Sequence, residues 1–282
     1  SPGAWAPAFA GATDRARATE CAGRRTGGGV GRDIGMTAEF RRAGLDRPAD
    51  WIEGRFVSRD NRFRVTVEIE GRPVGAHLPN SGRLGELLTP GRRVLLVERS
   101  GAHRKTGYDL GLVEMDGRWI SVDARLPNDL VESALREGRL EPLRGYPSLR
   151  REVTYGHSRL DLRLEAPDRP PCLVEIKSIT LVLDGLGCFP DAVTARGRRH
   201  LLELAGAVGE GLRAAVVFCI QRQDARGMRP HDEADPAFGQ ALRQVAQQGV
   251  EIYAYTCRVG PERIEIVRQV PVYLDGGPNH TD

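Results

Sequence analysis

The sequence predicts a two-domain protein, in which a small all-β barrel precedes an α/β domain with a central mixed sheet flanked by helices. In the first half, short segments of alternating polar and apolar residues recur between turns, as in a Greek-key barrel. In the second half, strand-like apolar runs alternate with amphipathic helical segments, which is the pattern of an α/β sheet. We place the barrel at residues 36–118 and the α/β domain at residues 119–282.

The barrel prediction depends on period-2 alternation and on turn residues. Residues 63–69 alternate as a half-buried strand does, and Pro90-Gly91 marks a turn between two such segments. Because the OB-fold is the common nucleic-acid-binding barrel of this size, we expect an OB-like domain. The predicted strands cover residues 63–69, 74–78, 94–98 and 108–114.

The α/β prediction depends on the order of strands and helices. Asn128 is of a type that caps helices, and it precedes the first helical segment. Strand and helix then follow each other at a density that gives parallel strand pairs. The predicted helices cover residues 129–137, 194–208 and 236–248, and the predicted strands residues 152–155, 159–164, 172–183, 214–221, 250–257 and 264–267.

The composition limits the class of protein. The net charge is +3, and the positive excess lies in residues 1–49, so any nucleic-acid contact must come from a local patch. Residues 1–35 lack periodicity and are interpreted as a disordered tail or a non-native extension. Five cysteines without a C-x-x-C motif favour buried, reduced thiols. With no signal peptide pattern and no apolar run of roughly 20 residues, we expect a cytoplasmic protein without a membrane partner.

The basic residues are strongly biased toward arginine, because only two lysines, Lys105 and Lys177, stand beside 39 arginines. Arginine replaces lysine wherever a solvated positive charge is enough, but its guanidinium stays protonated and forked. Chemistry that needs a compact ammonium able to share or lose a proton keeps lysine. The bias therefore draws attention to Lys177, which follows Glu175 by two residues at the end of an apolar run.

Lys177 belongs to a predicted β-hairpin that gathers carboxylates on one face. Asp161 interrupts the apolar residues of the first strand, and Glu175 and Lys177 share a side of the second. Two carboxylates from different strands suit Mg²⁺, which keeps several waters and completes its shell with substrate phosphate. A neighbouring lysine can orient or deprotonate the attacking water, so the group indicates phosphodiester hydrolysis. The alternative is a solvated hairpin face with a surface Glu–Lys pair.

This acid, hairpin and acid-x-Lys order resembles the PD-(D/E)xK nuclease core. Longer segments add to the resemblance, namely HLPNSGR at 77–83, RKTGYDL at 104–110, LPN at 126–128, REVTYG at 151–156, VEIKSITLV at 174–182 and FPDA at 189–192. With these segments the chain resembles the sugar fermentation stimulation protein A family from about residue 55 to residue 270. That family is described as DNA-binding and DNA/RNA nuclease-like, with an N-terminal OB domain and a C-terminal PD-(D/E)xK-like domain. Its name refers to a proposed role in stimulating genes of sugar metabolism.

The resemblance implies a role for each residue of the hairpin. Asp161, Glu175 and Lys177 take the catalytic places. Asp161 and Glu175, with the carbonyl of Ile176, are expected to bind Mg²⁺, for which Mn²⁺ can substitute. Glu152, one strand earlier, is expected to supply the additional acid that many such enzymes have.

Loop residues of the barrel are candidates for nucleic-acid contact. OB-folds bind single strands with loop cations and stacking aromatic side chains. Arg83, Arg104, Lys105 and Tyr108 lie in or beside predicted loops and are expected to contact DNA or RNA. Phe63 is instead expected in the barrel core.

A second basic group lies near the start of the helix that follows the catalytic strand. Arg196, Arg199 and His200 share one helical face, and the amides of a helix N-terminus also favour phosphate. Arg196 and Arg199 are expected to contact a phosphate of the nucleic acid. The alternative is a solvated face paired with Glu203.

The favoured function is a Mg²⁺-dependent nuclease that acts on DNA or RNA and is linked by resemblance to regulation of sugar fermentation. The alternative is a non-catalytic DNA-binding regulator that retains a nuclease-like fold. A third reading is a metal site for another phosphoester. The sequence defines neither strandedness, endo- or exonuclease action, physiological target nor oligomeric state.

Overall fold

The computed structural model describes residues 44–46, 50–101 and 103–275, so the tail predicted at residues 1–35 lies outside the described residues. The strands up to residue 121 are β1 (Gly44–Asp46), β2 (Trp51–Asn61), β3 (Arg64–Ile69), β4 (Arg72–His77), β5 (Arg93–Glu98), β6 (Tyr108–Met115) and β7 (Arg118–Ser121). The later elements are α1 (Leu126–Arg136), a 3-10 turn (Glu141–Leu143), β8 (Ser148–Tyr155), β9 (Ser158–Ala166), β10 (Arg169–Ile179), β11 (Val182–Leu183), β12 (Leu186–Phe189), α2 (Ala195–Gly209), β13 (Arg213–Ile220), β14 (Gly227–Pro230), α3 (Pro236–Gln247), β15 (Glu251–Val259) and β16 (Arg263–Val270).

Five strands close into a barrel with OB-fold connectivity. β2, β3 and β4 form an antiparallel meander, while β5 pairs with β2 on its other side and with β6. A parallel pairing of β4 with β6 closes the barrel, and β7 extends β6 at its edge. Inward-facing apolar side chains fill the interior, as the alternation along each strand requires. They include Phe56, Val65, Val67, Leu78, Leu96 and Leu110. The predicted OB-like barrel is confirmed.

The second half builds a seven-stranded mixed sheet in the order β1-β16-β15-β13-β10-β9-β8. β10, β13 and β15 run parallel at its centre, and the outer pairs are antiparallel. α1 packs its apolar side on one face of the sheet, and α2 and α3 cover the other. Because both faces are covered, the central strands are apolar almost throughout, as β13 (Arg213–Ile220) shows. This confirms the predicted mixed sheet flanked by helices.

Two strand pairings place the domain boundaries elsewhere than at the predicted residues 36, 118 and 119. β7 pairs with β6, so the barrel sheet continues to Ser121 and the change to the α/β domain follows it. β1 pairs antiparallel with β16, so Gly44–Asp46 form an edge strand of the α/β sheet and do not join the barrel. Neither limit is readable from local sequence, because only strand pairing decides which sheet a short strand joins.

The barrel and the α/β domain are held together by a loop, residues 79–83, that leaves β4. The carbonyl of Pro79 accepts from the amide of Ala124 at 3.0 Å, and the side chain of Asn80 donates to the carbonyl of Val122 at 3.1 Å. Farther along, the amide of Arg83 donates to a carboxylate oxygen of Asp191 at 2.7 Å. The loop therefore has a set position above the α/β domain.

The described cysteines agree with the expectation of buried, reduced thiols. Four cysteines lie within the described residues, and all four are buried and free, as predicted, while Cys21 lies outside that part of the chain. In the described part of the chain, no helix is both long enough and apolar enough to cross a membrane.

The loop contact with Asp191 gives a test of stability. A Cβ at Gly82 would collide with the Asp191 carboxylate that accepts from Arg83, so we expect Gly82→Ala to lower the free energy of unfolding by about 1–3 kcal/mol. Urea denaturation would measure the change. Gly85→Ala is the matched control, because a Cβ there meets nothing within 4 Å and should alter stability by less than about 0.5 kcal/mol. Equal midpoints for the two variants would contradict this role of Gly82.

Candidate functional site

The hairpin of β9 and β10 places the carboxylate of Asp161 beside the backbone of β10. Pairing between the two strands, which contains one register shift between Arg169 and Cys172, ends at Leu162 and Val174. Beyond that point the amide of Ile176 donates to the side-chain Oδ2 of Asp161 at 2.7 Å instead of to a backbone carbonyl of β9. Because the N–H and C=O of a strand residue point to the same side, the carbonyl of Ile176 also faces toward Asp161. The end of the pairing thus makes room for a side chain and a backbone oxygen together.

Glu175 and Lys177 lie on the opposite face of β10 from Ile176, as their spacing predicts. Glu175 is only 3% exposed. Its Oε1 accepts from Nζ of Lys177 at 2.5 Å and also from Nδ1 of His200. Its other oxygen, Oε2, is buried and has no hydrogen-bond partner. A buried carboxylate oxygen without a donor is costly, and it marks a place where a cation or another donor can bind.

The carboxylate of Asp161 is held by donors on both oxygens. The side-chain amide of Asn128 donates to Oδ1 at 2.8 Å, and the amide of Ile176 donates to Oδ2. Asn128 therefore does not cap α1, which begins earlier, at Leu126, and has no side-chain cap. The amide of Asn128 fixes the plane of the Asp161 carboxylate instead.

The two carboxylates differ in their affinity for protons. Burial, followed by the nearby charge of Glu175, raises the pKa of Asp161 above its usual value. Burial also acts to raise the pKa of Glu175, but the hydrogen bond from His200 and the charge of Lys177 outweigh it, so that pKa lies below its usual value. Glu175 thus holds its proton less tightly than Asp161, and repulsion between the two carboxylates would be relieved by a cation between them.

His200 connects this pair to the start of α2. The Nε of Arg196 donates to Nε2 of His200 at 3.3 Å, which leaves Nδ1 as the nitrogen that carries a proton toward Glu175. His200 is buried, so it does not share an exposed face with Arg196 and Arg199. The imidazole holds the Glu175 carboxylate through its hydrogen bond to Oε1. Arg196 itself remains exposed.

These groups lie at a cleft of about 440 Å³ that also has a wall from the barrel. The α/β domain contributes the end of β10, the segment after β12 and the start of α2. The barrel contributes Arg62 and the loop residues 80–82. The residues with side-chain chemistry at the cleft include Arg62, Asn80, Asn128, Asp161, Glu175, Lys177, Thr194, Arg196 and His200.

Two predicted residues of the α/β domain are not brought to this cleft. By the register of its neighbours, Glu152 lies opposite Asp161, but its φ is +55° and its exposed carboxylate pairs with Arg159. The backbone thus leaves regular strand geometry at Glu152, and the predicted ligand role of its side chain is not supported. Arg199 is exposed and turns toward Ser158, with Nε 3.4 Å from the hydroxyl.

The barrel residues predicted to bind nucleic acid are also distributed away from the cleft. Arg104 forms an ion pair with the buried Asp109, and Tyr108 packs partly buried against the barrel core. Arg83 contacts the α/β domain through its backbone, and its side chain does not line the cleft. Lys105 is exposed in the loop before β6. Contact with nucleic acid stays a prediction for these four residues.

Sequence reasoning missed Arg62 as a residue of the cleft, Asn128 as the support of Asp161 and His200 as the support of Glu175. One signal was available, since the triplet Leu-Pro-Asn occurs twice, ending at Asn80 and at Asn128. The structure brings both asparagines to the same cleft, although they lie in different domains. For His200 no local signal exists.

The residues that could hold a metal ion are few. Within residues 44–46, 50–101 and 103–275, no group of three or more His, Cys, Asp and Glu side chains is arranged to hold one. Asp161 and Glu175 offer two carboxylates, to which the carbonyl of Ile176 adds a third oxygen. This set fits a hard cation such as Mg²⁺ that keeps several waters, and does not fit a caged structural ion.

Comparison with known proteins agrees with the two-domain description. Residues 57–122 match the family model described as the SfsA N-terminal OB domain, and residues 125–263 match the sugar fermentation stimulation protein RE domain. A curated sugar fermentation stimulation protein homolog from Moorella thermoacetica is 48% identical over 231 residues, which are 82% of this chain and 100% of that protein. The homolog from Symbiobacterium thermophilum is 47% identical over 238 residues, covering 79% and 95%.

A solved structure gives the same result at the level of the fold. SfsA from Pyrococcus furiosus, described as a complex with Ca²⁺, matches with a TM-score of 0.75 and 30% sequence identity. The match covers 82% of this chain and 99% of the Pyrococcus chain. Together with the two family models and the curated relatives, it shows that the chain belongs to the sugar fermentation stimulation protein (SfsA) family.

Proposed function

We propose that this protein is a nuclease that hydrolyses phosphodiester bonds of DNA or RNA with the help of Mg²⁺, for which Mn²⁺ can substitute. The observation that carries the proposal is the meeting of Asp161, Glu175 and Lys177 at one end of a cleft whose other wall is an OB barrel. A nucleic acid held by the barrel would place its backbone at these groups. The relatives are named for stimulation of sugar fermentation. On this proposal, such an effect would result from action on a nucleic acid.

The cation site that we propose consists of Asp161, Glu175 and the carbonyl of Ile176. The unpartnered Oε2 of Glu175 supports it, because this buried oxygen otherwise has no donor. The Ca²⁺ in the description of the Pyrococcus structure also supports it, since Ca²⁺ and Mg²⁺ both prefer oxygen ligands. When bound, such a cation would polarise the phosphodiester and lower the pKa of a water.

The side chains around the site would bind and orient the reactants. Lys177, whose Nζ lies 2.5 Å from Oε1 of Glu175, carries a compact ammonium that can orient the attacking water. Only after losing a proton would its neutral amine be able to accept the proton of that water. Arg196 lines the cleft at the start of α2, where Thr194 caps the helix by accepting from Gly197. The guanidinium and the helix N-terminus both favour an anion, so we assign a phosphate of the substrate to this position.

Two further side chains would position the ligands without touching the substrate. Asn128 holds Asp161 through Oδ1, and His200 holds Glu175 through Oε1. Each carboxylate therefore keeps one orientation before a cation or substrate arrives, as efficient electrostatic catalysis requires.

The role of Lys177 can be tested directly by mutation. We expect Lys177→Ala to bind nucleic acid as the wild type does. Its cleavage rate should fall by a factor of about 100 or more, because loss of a positioned acid–base group costs at least about that factor. Rates would be measured on single-stranded DNA, duplex DNA and RNA with Mg²⁺, with Mn²⁺ and with EDTA. Arg136→Ala is the matched control, since Arg136 is exposed on α1 and pairs only with Glu132 among the described residues.

Three outcomes of that panel are informative. Cleavage by the wild type that needs a divalent cation and is lost in Lys177→Ala supports the nuclease. Unchanged cleavage in Lys177→Ala would contradict the assigned role. Binding without cleavage of any substrate would identify a regulator that retains the nuclease-like fold.

Cation binding has a readout that does not depend on activity. A ligand that binds only the folded state stabilises it, by about 2.7 kcal/mol at 100 times its Kd. We expect Mg²⁺, Mn²⁺ and Ca²⁺ to raise the unfolding temperature of the wild type and to have no such effect on Asp161→Asn. Glu152→Gln is the control, because the carboxylate of Glu152 pairs with Arg159 and should not contribute. Loss of the effect in Glu152→Gln would restore Glu152 as a ligand.

A further inference from the structure

An aromatic side chain lies exposed on the barrel beside the cleft. Phe63 is on the turn between β2 and β3 and is 46% exposed, so its predicted place in the barrel core is wrong. The turn points it outward, and the core is filled from the strands on either side. Of the large hydrophobic residues that are exposed in the described part of the chain, Phe63 is the aromatic one; the others are Val57, Val193 and Leu202.

The turn that presents Phe63 is held rigidly next to the cleft. The guanidinium of Arg59 donates to the carbonyls of Asn61 and Arg62 in the turn, at 3.2 and 2.7 Å. The same group donates to two carbonyls of the loop 80–83, both at 2.7 Å. Because that loop is itself bonded to the α/β domain, the position of Phe63 relative to the cleft is set before any ligand binds.

Phe63 is surrounded by groups that favour a nucleobase over an apolar partner. The ring of His77 lies 6.4 Å from the Phe63 ring between centroids, tilted by 33°, and its Nδ1 donates to the Phe63 carbonyl at 3.1 Å. The guanidinium carbon of Arg62 lies 5.6 Å from the Phe63 ring centroid. Among the described residues, no carboxylate pairs with Arg62, so its charge is available to a phosphate. We call Arg62, Phe63 and His77 the Phe63 patch.

The location of the patch indicates how a ligand would lie. Arg62 lines the cleft that contains Asp161 and Glu175, and Phe63 follows it directly in the chain. The turn joins the first and second strands of the barrel, and this loop is one of those through which OB-folds bind oligonucleotides. A strand with one phosphate in the cleft therefore brings a neighbouring base toward Phe63. A base in a duplex is already stacked on both sides and cannot reach the ring.

We propose that the Phe63 patch binds an unpaired nucleobase of single-stranded DNA or RNA by stacking on Phe63, while Arg62 contacts the adjoining phosphate. The proposal rests on the proposed function for the direction of the strand, but base binding itself does not require cleavage. It names single-stranded nucleic acid as the substrate class of the cleft.

Binding in EDTA tests the patch separately from cleavage. Fluorescence anisotropy would compare wild type, Phe63→Ala and Phe63→Trp on single-stranded DNA, single-stranded RNA and a duplex. Stacking of one base on an aromatic side chain corresponds to a factor of about 5 to 150 in affinity, so Phe63→Ala should lose about that factor on single strands. Phe63→Trp should retain affinity, and binding of the duplex should not change in either variant.

Leu202→Ala is the matched control, because Leu202 is 53% exposed on α2 and does not line the cleft. It removes exposed apolar surface elsewhere and should leave affinity unchanged. Unfolding temperatures would show that each variant is folded.

A series of oligonucleotides, each with one abasic position, removes in turn each base that could stack on Phe63. We expect one position at which loss of the base weakens binding by the wild type and does not weaken binding by Phe63→Ala any further, as a coupled pair requires. Additive losses at every position, or equal losses for Phe63→Ala on duplex and single strand, would overturn the proposal.

The outcomes separate this proposal from the nuclease assignment. A coupled loss of binding affinity at Phe63, with no cleavage under any condition, supports the Phe63 patch and contradicts the nuclease assignment. Cleavage that depends on Lys177, with no effect of Phe63→Ala on affinity for single strands, supports the nuclease assignment and contradicts the proposed role of the Phe63 patch. A wild-type protein that binds no nucleic acid overturns both.

Discussion

The buried carboxylate of Glu175 is the constraint on which the site depends. The charge lies between the central sheet and α2, and a buried charge is tolerated only when opposite charges and hydrogen bonds compensate for it. Lys177 and His200 both donate to Oε1, and the Nε of Arg196 in turn donates to His200. These contacts explain why the start of α2 is held against the end of β10, where we propose that Arg196 contacts a phosphate.

A second consequence of the same strand end is the space beside Asp161. Since β9 and β10 stop pairing after Leu162 and Val174, the amide and carbonyl of Ile176 face a side chain rather than a neighbouring strand. The barrel then covers this opening from above through the loop 79–83. The cleft is thus formed by two domains: its carboxylates and its lysine come from the α/β domain, and its upper wall comes from the barrel.

Much of the site was predictable because its key residues share one hairpin. The two-residue spacing of Glu175 and Lys177 sets them on one face of a strand, whatever the rest of the fold. The apolar runs around them predicted the central strands, and Thr194 and Asp235 begin α2 and α3 as N-caps close to the predicted limits. β2 was not predicted, because Gly54 occupies one of its inward positions, where a Cβ would meet Val67 at 2.6 Å.

By itself the sequence determined the order of elements, the OB-like barrel, the mixed sheet and the pairing of Glu175 with Lys177, since these follow from periods of two and 3.6 residues. The tertiary structure alone decided which distant residues join them. Asn128 reaches Asp161 across 33 residues and His200 reaches Glu175 across 25. It also turned Phe63 outward and Glu152 away from the cleft. Such contacts depend on how strands pair and helices pack, and no local pattern encodes the path between them.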